Sequence, residues 1–296
     1  MVSYDPRSWL SVVFTFHGSV LPKLAPRIAL ASALGGAAAW LFAERGFRIP
    51  STAHSMVGVA LGLLLVFRTN ASFDRWWEGR KLLGSAVNRT RDLTRQVTTL
   101  LEGEGPEVDA LRADLRRRVV AFYGLLRLHL RAERDLKALG ALLTDDEREA
   151  LEPLKNRPAV MITWLSGALA EQARQGRLTE QRLQVMDANL STFNDVLGAC
   201  ERILKTPIPF AYAQHIKTFL VMFCFSAPFA IVGDMKWYTP IAAGILAFAM
   251  FGIDEIGVEI EDPFGHDPND LPLDAIGEGI ELTTGEIVTR GRRFVR

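Results

Sequence analysis

Four stretches of the 296-residue chain are almost free of charge, and they come as two pairs divided by a long polar middle. Residues 28–43 lie between Arg27 and Glu44, and residues 49–67 between Arg48 and Arg68 with His54 as their one titratable group. Residues 218–233 lie between Lys217 and Asp234, and residues 237–253 between Lys236 and Asp254. At 1.5 Å per residue, runs of this length make helices of roughly 24 to 28 Å, a little under the ~30 Å hydrocarbon layer of a bilayer. Arg27, Arg48, Arg68 and Lys217 can close the difference by snorkelling. Buried helices of a water-soluble core are the alternative, but such runs are usually about 10 to 14 residues long, and all four here are longer. The expected class is therefore an all-α membrane protein with four transmembrane helices per chain.

Charge placement orients the spans. Lysine plus arginine equal aspartate plus glutamate at 34 each, so the overall balance offers nothing that would attract nucleic acid. Of the 34 basic residues, 24 fall between Arg68 and Lys217, several of them next to the spans, whereas the loops 44–48 and 234–236 hold three. Short cytoplasmic connections retain lysine and arginine, which places the middle and both termini in the cytoplasm. The two cysteines, Cys200 and Cys224, have neither the spacing of a zinc site nor the number for a disulfide framework.

The middle reads as a helical bundle. Leu111, Leu115, Val119, Phe122, Leu126 and Leu130 recur at spacings of three and four, with Arg116, Arg117, Arg131 and Arg134 on other faces. Gly-Glu-Gly-Pro at 103–106 and Leu139-Gly140 end helices, and Thr144 followed by Glu147 has the form of a capping box. The chain thus divides into an N-terminal cytoplasmic or interfacial segment (1–27), a first helix pair (28–67), the bundle (68–217), a second pair (218–253) and a tail (254–296). That tail carries 11 acidic residues against four basic ones. Its carboxylates around Pro263, Gly265 and Pro268 suit calcium chemically, but they do not match a twelve-residue calcium loop.

Within the second span, Val59, Leu63 and Phe67 form one apolar stripe at i, i+4 and i+8, beside Gly58 and Gly62, a small-residue stripe that admits a neighbouring helix. The residues alone leave open whether the stripe lines a pore or faces lipid. One helix cannot enclose a pore, whereas several copies about an axis can.

Directly after the stripe stands Arg68-Thr69-Asn70-Ala71-Ser72-Phe73-Asp74-Arg75-Trp76-Trp77-Glu78. This stretch resembles the bestrophin family of ion channels. Phe16-His17-Gly18-Ser19-Val20, Thr206-Pro207-Ile208-Pro209-Phe210 and Asp262-Pro263-Phe264-Gly265 agree with the same family in the same order, closest to its short bacterial members. The resemblance implies a homopentamer in the bacterial inner membrane with an axial pore for chloride or other anions, or for monovalent cations. It also implies a hydrophobic neck at Val59, Leu63 and Phe67, and a second, cytoplasmic constriction in the segment holding Leu178. In calcium-gated members two acidic side chains after Pro-Phe-Gly bind calcium together with backbone carbonyls. Here these are Asp267 and Asp270, with the family's acidic run broken by Pro268 and Asn269.

Other classes find less support. No HExxH, GxSxG, GxGxxG or P-loop spacing is present, so a membrane-bound enzyme lacks a recognisable site. A non-conducting helical membrane scaffold remains the other alternative.

Overall fold

The computed structural model describes residue 5 and residues 7–291, and among them every regular element is helical. The α-helices are α1 (Trp9–Val13), α2 (Leu21–Arg45), α3 (Ser51–Leu100), α4 (Pro106–Leu130), α5 (Asp145–Leu151), α6 (Arg157–Arg174), α7 (Glu180–Lys205), α8 (Phe210–Met235), α9 (Thr239–Glu259) and α10 (Leu273–Arg290). Short 3-10 turns cover Leu136–Leu142 and Lys236–Tyr238. Prolines sit in the first turn of α2, α4, α6 and α9, where a missing N–H costs no helical hydrogen bond.

Among the described residues, three helical stretches are long and apolar enough to cross a membrane: Leu21–Arg45, Ser51–Leu100 and Phe210–Glu259. The last is interrupted at Lys236, whose φ of 46° and ψ of −122° end α8 before α9 begins.

The chain separates into two compact units. The first holds Met1–Trp77 and Pro207–Asp270, and the second Glu78–Thr206 and Leu271–Arg296. Residues 51–77 of α3 belong to the first unit and its remainder to the second.

In the first unit α2 packs against α8 and α9, and α8 against α9. Leu24, Ala31, Leu61, Leu65, Ile216, Leu220, Cys224, Ala247 and Phe251 form its core. The α2–α9 seam is close enough that a Cβ on Gly35 would lie 2.7 Å from the Cα of Pro240, so only glycine fits. Beyond the apolar seam, Arg27 pairs with Glu255 at 2.8 Å.

In the second unit α4 is the central element, packed on α6, α7 and α10, with Phe122 stacked on Phe193 at 4.3 Å between ring centroids. Two of its boundary signals lie where the sequence puts them: α3 ends at Leu100 and α4 begins at Pro106, and the Thr144–Glu147 capping box closes in both directions; Leu139-Gly140 instead falls within a 3-10 turn, α4 having ended at Leu130. Arg117 reaches Glu147 at 2.6 Å, tying α4 to α5. Cys200 and Cys224 are both buried.

Candidate functional site

The face of α3 that matters is set by its opposite face. Leu61 and Leu65 are 0% and 1% exposed, and the buried row continues through Arg68 and Ser72. Helical periodicity then turns Val59, Leu63 and Phe67 outward. They are 76%, 56% and 56% exposed, and Met56 and Val66 flank them on the same open surface. From Val59 to Phe67 the stripe runs about 12 Å along the helix. Continuing in the same register, Asn70 and Asp74 are also exposed, so the apolar stripe passes into a polar one without a change of direction.

The two glycines beside the stripe behave differently. A Cβ on Gly58 would meet the Phe223 ring at 2.9 Å, so this glycine is the point where α8 approaches α3, whereas Gly62 has open space. His54 stacks on the same Phe223 ring at 4.3 Å.

Below the stripe the back of α3 is pinned. The Arg75 Nε donates to the Glu261 carbonyl at 3.0 Å and the Trp76 indole N–H to the Asn269 carbonyl at 3.2 Å. Arg68 lies 3.2 Å from Asp254 and 3.7 Å from Glu261. By sequence Arg68 bounds the second span and is free to snorkel, and Asp254 closes the fourth; buried and paired, Arg68 does not snorkel. That each directly follows an apolar run was the available signal, because a charge at such a position needs a partner once the helix is buried.

Leu178 occupies a different environment from the one expected of a constriction. It is 4% exposed, a core side chain of the second unit, while the neighbouring Thr179 caps α7 by accepting from the Arg182 N–H. Its side chain is used in packing within its own chain.

Asp267 and Asp270 lie together in the loop after α9 but do not face one point. The Asp267 backbone N–H donates to Asp270 Oδ2 at 2.7 Å, and Asp267 itself is exposed. Asp270 is buried, with Oδ1 lacking a hydrogen-bond partner. Burial, together with the negative charges of Asp267, Asp262 and Glu259, pushes its carboxyl up to about 6. One oxygen therefore suits a cation, but calcium takes about six to eight oxygens, and no three acidic, histidine or cysteine side chains converge as a metal-binding group among the described residues.

Residues 1–286 match the profile of the Bacterial/Fungal Bestrophin protein family. This chain belongs to the bestrophin family. A voltage-dependent anion channel-forming protein of Synechocystis is 39% identical over 288 residues, covering 97% of this bestrophin and 94% of the relative. One of Escherichia coli (strain K12) with the same description is 35% identical over 287 residues, covering 95% and 92%. A crystal structure of a bacterial bestrophin homolog from Klebsiella pneumoniae superposes with a TM-score of 0.84 at 27% identity, covering 90% of this bestrophin and all of that chain. Family membership also sets aside the enzyme reading.

Proposed function

We propose that this bestrophin conducts anions passively across the bacterial inner membrane, as a homopentamer whose axial pore is lined by α3. Each chain crosses four times, by α2, the first part of α3, α8 and α9, with both termini cytoplasmic. The observation that carries the reading is the outward row Val59, Leu63 and Phe67 on a helix whose other face is filled by Leu61, Leu65 and Arg68. Five such rows about an axis make a hydrophobic neck, and an ion crosses a neck of this kind only when water fills it. The names of the Synechocystis and Escherichia coli relatives favour anions over the monovalent cations that the sequence left open.

The test is the reversal potential of purified protein in planar bilayers under a sodium chloride gradient, paired with its oligomeric state in detergent. Reversal near the chloride potential from a pentamer supports the reading. Reversal near the sodium potential replaces anion with cation conduction. A monomer or dimer without current returns the non-conducting scaffold.

A further inference from the structure

Asp74 is the first acidic side chain on the outward face of α3 after the neck. It stands seven residues beyond Phe67, about 10 Å along the helix and on the same side of it. Its direction is fixed from behind. Ser72 is fully buried, Arg75 donates to the Glu261 carbonyl and Trp76 to the Asn269 carbonyl, so α3 cannot turn at this level without breaking those contacts. Arg75, the nearest cation in sequence, is held by Glu261 on the packed side, and Asp74 is exposed with no ion pair to any described residue.

We propose that Asp74 is the charge-selectivity residue of this pore: five copies form a carboxylate ring on the cytoplasmic side of the neck that opposes anions and favours cations. This rests on the pore reading above. Rings of acidic side chains impose cation preference because each carboxylate adds to one potential inside a narrow, low-dielectric passage. In a pore that passes anions, the ring acts as a brake, and the anion preference is what remains after it. Asp74 is thereby a determinant of how strongly the channel prefers one sign of charge, while the neck determines whether anything passes.

The experiment compares wild type, Asp74→Asn and Asp74→Cys as purified pentamers in planar bilayers under a potassium chloride gradient. Asp74→Asn is expected to raise the anion-to-cation permeability ratio several-fold, with a larger effect at low salt, where the ring is less screened. Asp74→Cys provides the second arm, since Cys200 and Cys224 are buried and the introduced thiol stands alone on the surface. A cationic thiol reagent should raise the same ratio further, and an anionic reagent should return it toward wild type. An unchanged ratio in Asp74→Asn, or equal effects of the two reagents, overturns the proposal. Failure of the neck reading is separable: Leu63→Ala and Phe67→Ala would then leave currents unaltered while the Asp74 variants still shift the ratio. Absence of current from wild-type protein overturns both.

Discussion

Arg68 and Asp254 form a buried ion pair, Nε to Oδ1 at 3.2 Å, with only 2% and 4% of the two residues exposed. Gly257 lies beside them, where an added Cβ would sit at ordinary contact distance, 3.6 Å, from Arg68 Nε. Arg68 is also the residue after Phe67, so the backbone that presents the last apolar side chain of the stripe is the one the pair secures. Removing one partner of a buried pair strands the other charge, which typically costs about 3–5 kcal/mol. Arg68→Ala is expected to lower the melting temperature of the purified protein sharply. Arg68→Met combined with Asp254→Leu should recover most of the loss, and equal losses in the single and double variants would refute the pairing account.

The neck makes its own prediction. In the proposed neck, Leu63→Ala and Phe67→Ala shorten the apolar side chains that would exclude water, so both should raise open probability or single-channel conductance. Leu61→Ala, on the buried face of the same helix, should instead reduce stability by about 2–5 kcal/mol. Single-channel recording and thermal melts together separate the two faces.

At the α2–α9 seam, Gly35→Ala would place a methyl 2.7 Å from the Cα of Pro240 and 3.0 Å from the Thr239 carbonyl oxygen. Backbone cannot swing aside as a flexible side chain can, so the helices must separate. The expected cost is about 1–3 kcal/mol, read as a lower melting temperature in detergent. Gly36→Ala, with open space around the added atom, is the matched control.

Two carboxylates should give the protein pH responses of opposite sign. Burial alone would raise the Glu147 carboxyl, but the hydrogen bonds from Arg117 and the Thr144 N–H outweigh it and hold it below the ordinary value of 4.5. Its contribution is present above that value and is lost as pH falls through the folded-state pKa. Asp270, pushed up to about 6 from 3.8, retains its proton in the folded state where the unfolded chain has released it, so stability falls as pH rises across that interval. Asp270→Asn should therefore stabilise the protein at neutral pH, with the gain vanishing near pH 4. Glu147→Gln should destabilise it at neutral pH and matter least in acid.

Calcium is expected to leave the melting temperature unchanged at millimolar concentration, because Asp267 points to solvent and Asp270 offers a single free oxygen. A rise of several degrees that disappears in Asp270→Asn would place a calcium ion in this loop.

Local signals in the chain were legible, and long-range ones were not. Gly105-Pro106 and the Thr144–Glu147 box act within a few residues of themselves, so their structural outcome follows from their own chemistry. The Val59, Leu63 and Phe67 stripe is likewise a property of one helix, and its exposure follows from helical period. Leu178 is a contrary case: a leucine near a helix start has the same sequence appearance in a core as at a constriction, and only the packing of the second unit separates them. Gly58 and Gly62 looked equivalent by spacing, yet only Gly58 meets Phe223, which is 165 residues away in sequence. Arg68 and Asp254 were each visible as a boundary, while their pairing depends on how α3 and α9 come together.

The seam between α2 and α9 is made of glycine and alanine, with Ala31, Gly35, Ala38, Ala243, Gly244 and Ala247 all buried. Lipid tails are as apolar as these side chains, so the seam coheres by close packing rather than by expelling water. With the second unit outside the bilayer, as the proposed topology has it, its leucine- and phenylalanine-rich core coheres through water expulsion, which weakens on cooling. One chain thus carries two adhesives with different temperature coefficients, and chilling slackens the bundle before it slackens the helices in the bilayer.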